Sequence, residues 1–414
     1  MQRKLLDAAT EALGRVLKFE QPADAVLSAW FREHHALGPH DRAFVAEGVF
    51  GVLRHKRTLE RVVGTPTARR LLLGWVARHS GMTAKVKPLV KPAEAEALET
   101  YAAAAPELTP AERAELPDWV FERVGADLGE AGALALGASL QEPAPLDLRV
   151  NTLKADRHDV LKSLRGKGIP AEPTPYSPAG VRIFGKPAIN RDPLFTEGAL
   201  EVQDEGSQLV GYLLAPTRHD LVVDFCAGAG GKSLMLGAMM RSQGRLYAFD
   251  VSAARLARLK PRLKRSGLSN VHPHQIANEH DPKVKRLGGK IDRVLVDAPC
   301  TGLGTLRRNP DLKWRQSPQT VVEMRAKQAA ILRAAASLVK PGGRLVYATC
   351  SVLTEENEAI VASFLDETPG FGIVKCSDLL KHHGIDIDVG QTLRLWPHIH
   401  GTDGFFAAAL ERAR

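Results

Sequence analysis

Strand-like and helical runs alternate from about residue 206 onward, and no other feature of the sequence restricts its fold as strongly. The runs Leu221-Val-Val-Asp224, Arg245-Leu-Tyr-Ala-Phe-Asp250, Arg293-Val-Leu-Val-Asp297 and Arg344-Leu-Val-Tyr-Ala-Thr349 are short and largely apolar. Helical periodicity fills the intervals near 232–241, 252–266 and 318–339. Strands joined by helical crossovers predict an α/β fold, a mostly parallel sheet with helices on both faces. Such sheets take ligands at the carboxyl ends of their strands. Every motif that carries chemistry in this chain falls at one of those ends.

Upstream the grammar differs. Residues 1 to about 140 read as helical. Ala25–Phe31 forms one apolar face, and Phe44, Val45, Val49, Val52 and Leu53 recur at helical spacing within Asp41–Val63. Arg42, Arg54, Lys56, Arg57 and Arg61 fall between them, on what reads as an exposed basic face. Pro143 and Pro145 mark a boundary. Leu146–Thr152 then alternates like a strand, 156–167 reads as a helix and Gly180–Phe184 as a second strand. The expected organisation is a helical domain over 1–140, a small α+β subdomain over 145–205 and the α/β domain over 206–414.

The formal charge of +9 fits a polyanionic partner, without separating nucleic acid from an anionic surface. The four cysteines, Cys226, Cys300, Cys350 and Cys376, include no C-x-x-C pair, which argues against a disulfide framework or a zinc site and for reduced thiols in the cytoplasm. His272-Pro-His274 and His398-Ile-His400 lack a third ligand at sensible spacing, so no metal is expected. The opening Met1-Gln-Arg-Lys has no signal-peptide core, and no apolar run is long enough for a membrane span. A monomer with no membrane partner is the expectation.

Asp224-Phe-Cys-Ala-Gly-Ala-Gly-Gly-Lys-Ser233 follows a strand and opens a helix. Glycines there let a ligand approach the free N–H groups of a helix N-terminus. A phosphate-binding P-loop needs glycine where Cys226 stands, and the dinucleotide fingerprint needs glycine where Ser233 stands. The D-x-G-x-G-x-G pattern of adenosylmethionine enzymes is met except at one glycine. Asp250 ends the next strand, where a carboxylate can accept both ribose hydroxyls of an adenosine ligand. That suits NAD as well as adenosylmethionine, and Asp250 can equally serve as a helix N-cap.

Two further strand ends carry thiols, in Asp297-Ala-Pro-Cys-Thr301 and in Tyr347-Ala-Thr-Cys-Ser351, the latter followed by the acidic run Glu355-Glu-Asn-Glu358. A single buried cysteine is often only a small hydrophobe. Two at a ligand-binding edge suit cytosine chemistry. Carbon-5 of cytosine is a weak nucleophile until a thiolate adds to carbon-6, and a base must later remove the carbon-5 proton so that the thiol can leave. A basic neighbourhood, with Lys232 in it, would favour the thiolate. Asp297 can hold the pyrimidine edge.

The segments Phe225–Lys232, Asp297-Ala-Pro-Cys300 and Thr349-Cys-Ser351, with Leu148-Arg-Val-Asn-Thr152, Arg394-Leu-Trp-Pro397 and Asp403-Gly-Phe-Phe406, resemble the RsmB/Sun/NOP family of RNA cytosine-5 methyltransferases. The resemblance covers about 145–414 and implies a Rossmann-like class I methyltransferase domain using S-adenosyl-L-methionine. It makes Cys350 the nucleophile and gives Cys300 a part in product release. It lines the cofactor site with Cys226, Ala227, Gly228, Ala229, Gly230, Gly231 and Lys232, then Asp250, Asn278 and Asp297. Two positions depart from the family pattern: Ala229 replaces a proline, and Asn278 stands where an acid often meets the adenine amino group. Asp41-Arg42 and Gly48–Arg54 resemble the NusB-like RNA-binding domain of the bacterial ribosomal RNA branch, which implies small-subunit ribosomal RNA as substrate.

Arg307, Arg308, Lys313 and Arg315 are expected to meet phosphates near the target base, with Trp314 stacking or packing, and Arg241–Arg265 adds eight basic residues. An RNA-binding assembly factor with little turnover, a tRNA cytosine-5 methyltransferase, and a methyltransferase for protein or small molecules remain as alternatives.

Overall fold

The computed structural model describes residues 3–185 and 187–414, so the opening dipeptide read above for a signal lies outside the described residues. The chain forms two compact units. One runs to Pro143 and takes in Thr305–Pro318, and the other comprises Ala144–Gly304 and Gln319–Arg414.

The first unit is helical. Phe44, Val45, Val49, Val52 and Leu53 lie on its inward face, as their spacing predicts. The run 41–63 is broken at His55, giving helices Pro39–Arg54 and Lys56–Val63. The expected exposed basic face is largely absent. Arg42, Arg54, Lys56 and Arg57 are half-buried, because main-chain carbonyls and carboxylates take their charged groups. Arg42 donates to Leu37 O, Arg54 to Arg307 O and Arg57 to Leu116 O. Lys56 pairs with Glu60, and Arg61, which does stay exposed, pairs with Glu112.

Residues 305–318 pack within this unit, which for Arg307 and Lys313 corrects the expectation of phosphate contacts beside the Pro-Cys loop, while Arg308 and Arg315 stay half-exposed. Arg307 and Lys313 are buried. Lys313 donates to Arg54 O at 3.1 Å, and burial pulls its ammonium pKa down to about 8. Trp314 packs rather than stacks on a base: its indole N–H donates to Leu53 O at 3.0 Å and its ring joins the helical core. Trp314→Ala is therefore expected to cost this unit about 3 kcal/mol, at the low end for a tryptophan because the ring is half-exposed. Hydrogen exchange of helix Pro39–Arg54 measures this, and unchanged protection would show that the segment anchors nothing.

In the second unit a small antiparallel sheet comes first. It contains β1 (Leu146–Val150), β2 (Ala171–Pro173), β3 (Gly180–Ile183) and β4 (Leu200–Val202), in the order β2-β3-β1-β4. Leu148 and Val150 pack on helix Arg157–Gly166 through Val160, Leu161 and Leu164. The alternate residues Asp147 and Arg149 are buried as well, so the opposite face of β1 is polar and covered.

The large sheet contains β5 (Leu221–Asp224), β6 (Arg245–Asp250), β7 (Val271–Gln275), β8 (Ile291–Asp297), β9 (Val339–Thr349), β10 (Phe371–Val374), β11 (Leu393–Leu395) and β12 (Phe405–Arg412). Its order is β10-β12-β9-β8-β5-β6-β7, with β11 also paired to β12. The strands from β9 to β7 are parallel, as expected, while β10, β11 and β12 add an antiparallel margin. Neighbouring residues face opposite sides: Val222 and Leu295 enter one core with helices Glu205–Leu214 and Gly231–Met239, and Val223 and Val294 enter the other with helices Pro318–Ala336 and Glu358–Glu367. Burial on both faces is what a parallel sheet requires. His272-Pro-His274 lies in the edge strand β7, where a proline breaks no ladder between two neighbours.

Candidate active site

The chain leaves β5 at Asp224 and enters helix Gly231–Met239 through the glycine loop. Gly230 turns the corner with φ +84°, an angle that favours glycine, and a Cβ there would lie 2.1 Å from Leu259 Cδ1 and require that side chain to move. Ser233 Oγ donates to Asp224 Oδ2 at 2.6 Å, tying the two ends of the loop, and burial raises the Asp224 carboxyl to about 7. From the small sheet, Arg149 donates to Gly231 O at 2.7 Å, and Arg262 donates to Ala229 O at 2.6 Å. Glu201 of β4 in turn pairs with Arg262 and Arg265.

Asp250, at the end of β6, accepts from Gly228 N at 2.8 Å and Ser252 N at 2.7 Å. Ser252, not Asp250, caps helix Ala253–Ser266. The carboxylate is thus bound to the glycine loop as well as to its own turn.

A cavity of about 680 Å³ opens along these strand ends, within the usual range for small-molecule sites. Cys226, Ala227, Gly228, Ala229, Gly231, Lys232, Asp250, Asp297, Cys300 and Cys350 all line it, so ten of the residues expected from sequence meet in one place. Gly230 does not line it, being turned onto Leu259. Asn278 is also absent from the wall: its Oδ1 accepts from His280 N at 2.9 Å in a local turn, and the next residue, Glu279, faces the cavity instead. Arg255, Arg258 and Arg262 contribute part of the predicted basic cluster to the rim, joined by Lys327 and Gln203, which the sequence reading missed.

Lys232 Nζ stands 2.8 Å from Asp297 Oδ2 and 5.2 Å from the centre of the Phe405 ring. Its charge is therefore matched by a carboxylate rather than left to act on a thiol alone. Cys226 is raised by burial and by Asp224, Asp297 and Asp250, and so remains a thiol. The sulfurs of Cys300 and Cys350 are 3.4 Å apart. Their shared hydrogen bond, followed by burial, holds Cys300 well above the ordinary thiol range.

Behind the sulfurs lies Glu356, fully buried and overlooked within its acidic run. It binds both cysteine loops through Thr301 and Ser351. Among the described residues no group of three or more His, Cys, Asp or Glu side chains is placed to hold a metal ion. No helix among them is long and apolar enough to cross a membrane.

A doubly wound sheet with a glycine loop and a carboxylate at adjoining strand ends defines the chain as a Rossmann-like methyltransferase. The profile described as "16S rRNA methyltransferase RsmB/F" matches residues 211–411, and that of the ferredoxin-like domain of RsmF/B-like methyltransferases matches 116–190. The probable ribosomal RNA small subunit methyltransferase B of Synechocystis sp. is 34% identical, over 92% of this chain and 93% of the relative. The crystal structure of PH0851 superposes with a TM-score of 0.81 at 28% identity, covering 100% of this chain and 99% of the other. A methyltransferase homologue from Pyrococcus horikoshii gives 0.63 at 29% identity, covering 74% and 98%. The chain belongs to the RsmB/F family of 16S rRNA methyltransferases.

Proposed function

We propose that this RNA methyltransferase forms 5-methylcytosine in small-subunit ribosomal RNA through a covalent bond between Cys350 and carbon-6 of the target base. The single observation that carries the reading is the pair of thiols 3.4 Å apart at two adjacent strand ends, on the wall of the glycine-loop cavity.

The cavity residues fit S-adenosyl-L-methionine. Gly228 has no atom within 4 Å of where a side chain would begin, leaving its backbone open to a ligand. Asp250 suits a pair of ribose hydroxyls, Val251 is 51% exposed on the wall as an apolar contact, and Glu279 is the acid available to an adenine amino group in place of Asn278. When bound, the cofactor supplies an electrophilic methyl group.

The protein's own groups then divide the work. Asp297, steadied by Lys232, accepts a hydrogen bond from the pyrimidine edge. Cys350 adds to carbon-6 as its thiolate, and the π pair between carbon-5 and carbon-6 moves to carbon-5, which becomes nucleophilic towards the methyl group. After a base takes the carbon-5 proton, the bond from Cys350 to carbon-6 breaks. Cys300, kept protonated, can donate its S–H to the departing sulfur. Basic side chains at the rim, Arg255, Arg258 and Lys327, suit the phosphates of the incoming strand. The helical segment over 1–140 is proposed as a second RNA-binding element, and the cytoplasm as the place of action.

The test is transfer from methyl-labelled S-adenosylmethionine to ribosomal RNA lacking 5-methylcytosine, followed by digestion to nucleosides. Label is expected in 5-methylcytidine alone. Label in any other nucleoside, or none in RNA with cofactor bound, would overturn the reading.

A further inference from the structure

Between the two cysteine loops sits a carboxylate that the chemistry above does not use. Glu356 Oε1 accepts from Thr301 N at 2.9 Å and from Gln328 Nε2 at 3.0 Å. Its Oε2 accepts from Thr301 Oγ1 at 2.5 Å and from Ser351 Oγ. Thr301 directly follows Cys300, and Ser351 directly follows Cys350. Gln328 also donates to Pro299 O at 2.9 Å, so it braces the residue before Cys300. Thr301 N and Gln328 Nε2 are donors, and the two hydroxyls can each donate an O–H, a set that a carboxylate satisfies as acceptor. Bonds of this kind to a charged acceptor are stronger than neutral ones.

We infer that Glu356 is a positioning residue: its carboxylate clasps the residue after each cysteine and so holds the Cys300 and Cys350 sulfurs at the separation the reaction needs. This rests on the reading of the two thiols as a working pair. A purely structural role is the competing explanation, because other buried carboxylates in this chain also bind main-chain N–H groups. Glu205, for example, accepts from Tyr176 N and Ser177 N. What separates Glu356 is the identity of its partners. The two loops come from different strand ends, 50 residues apart in sequence at their sulfurs, and the carboxylate touches each one residue from its thiol. Its negative charge adds to the forces that keep Cys300 protonated. Main-chain bonds also join the two strand ends, Ala298 N to Ala348 O at 2.8 Å and Gly304 N to Cys350 O at 2.9 Å, and the carboxylate adds a side-chain tie at the residue after each thiol.

The test uses phenylarsine oxide, whose arsenic forms two As–S bonds and releases water only when two thiols stand close together. Peptide mapping of the full-length wild type should find Cys300 and Cys350 bridged. Glu356→Ala should weaken bridging on the order of 100-fold, the advantage lost when two sites can no longer be engaged together. Glu356→Gln should recover most of it, since its oxygen can still accept from Thr301 N while its amide donates to the Ser351 hydroxyl. Ser351→Ala removes one strut without emptying the site, and should weaken bridging about tenfold, a part of the same advantage. It decides the matter where Glu356→Ala fails to fold. Unchanged bridging in whichever of the two alanine variants is folded, or no recovery in Glu356→Gln, overturns the inference. The titration needs neither cofactor nor RNA. Bridging that depends on Glu356 in a protein forming no 5-methylcytosine would therefore sink the functional reading alone, and methylation with bridging indifferent to Glu356 would sink the clasp alone.

Discussion

Cys350→Ala is expected to abolish formation of 5-methylcytosine, and Cys300→Ala to leave protein covalently attached to RNA. The two outcomes differ because the proposed mechanism has the two sulfurs, though only 3.4 Å apart, act at opposite ends of the reaction. Without Cys350 nothing adds to carbon-6 and carbon-5 stays a poor nucleophile, so the loss should be on the order of 10⁴-fold or more, as for other enzymes deprived of a covalent nucleophile. Without Cys300 the addition and methyl transfer can proceed, but release of Cys350 loses its neighbouring S–H. The adduct should then survive denaturing electrophoresis and disappear on ribonuclease digestion. The double variant should form no adduct, because the first step is missing. Methylation that persists in Cys350→Ala would end the proposed mechanism. An adduct in Cys350→Ala but not in Cys300→Ala would exchange the roles of the two thiols.

How much of this was legible in the sequence depended on whether a residue acts locally. Strands β5, β6, β8 and β9 announced themselves as apolar runs, and the motifs at their ends converge on one cavity because a parallel sheet puts all those ends on one edge. Strand β7 did not: Val-His-Pro-His-Gln has little apolar alternation, and it pairs on one side only, where such a sequence is tolerated. Strand β12 contains Ala407-Ala-Ala409, poor in β propensity, and is held by pairing with β9, β10 and β11 rather than by intrinsic preference. Long-range partners were hidden altogether. The basic run after Cys300 looked exposed because charge usually is, yet its lysine and tryptophan bond to carbonyls more than 250 residues earlier. Glu356 sat in an acidic run for the same reason, and only the fold reveals that its neighbours are Thr301 and Ser351. Asn278 and Glu279 differ by one position, a distinction set by a turn that sequence spacing does not resolve.

Gly304→Ala is expected to be among the most damaging single-methyl changes in the second unit. A Cβ at this position would stand 2.1 Å from Gly404 O, 2.7 Å from Gly404 C and 2.8 Å from Cys350 O. Each of these is a main-chain atom, so no side chain can swing aside. Gly304 also donates to Cys350 O at 2.9 Å and accepts from Gly404 N at 2.8 Å, which ties the Pro-Cys loop, the Thr-Cys loop and the entry to β12 into one contact. Making room requires the backbones to part by roughly 1 Å, and overpacking of that kind costs about 3 kcal/mol. The displacement falls on the peptide of Cys350 itself. A shift of about 1 Å in a reacting group can lower the rate on the order of 100-fold, so activity should drop even at temperatures where the variant remains folded. Gly372→Ala serves as the control, since no atom lies within 4 Å of its added methyl in β10 and its stability should stay within about 0.5 kcal/mol of wild type. Chemical denaturation and single-turnover methylation of both variants measure the two effects separately. Wild-type stability in Gly304→Ala would mean that the three loops do not meet as closely as described. Lost stability with an unchanged single-turnover rate would mean that the contact supports the fold without positioning the nucleophile.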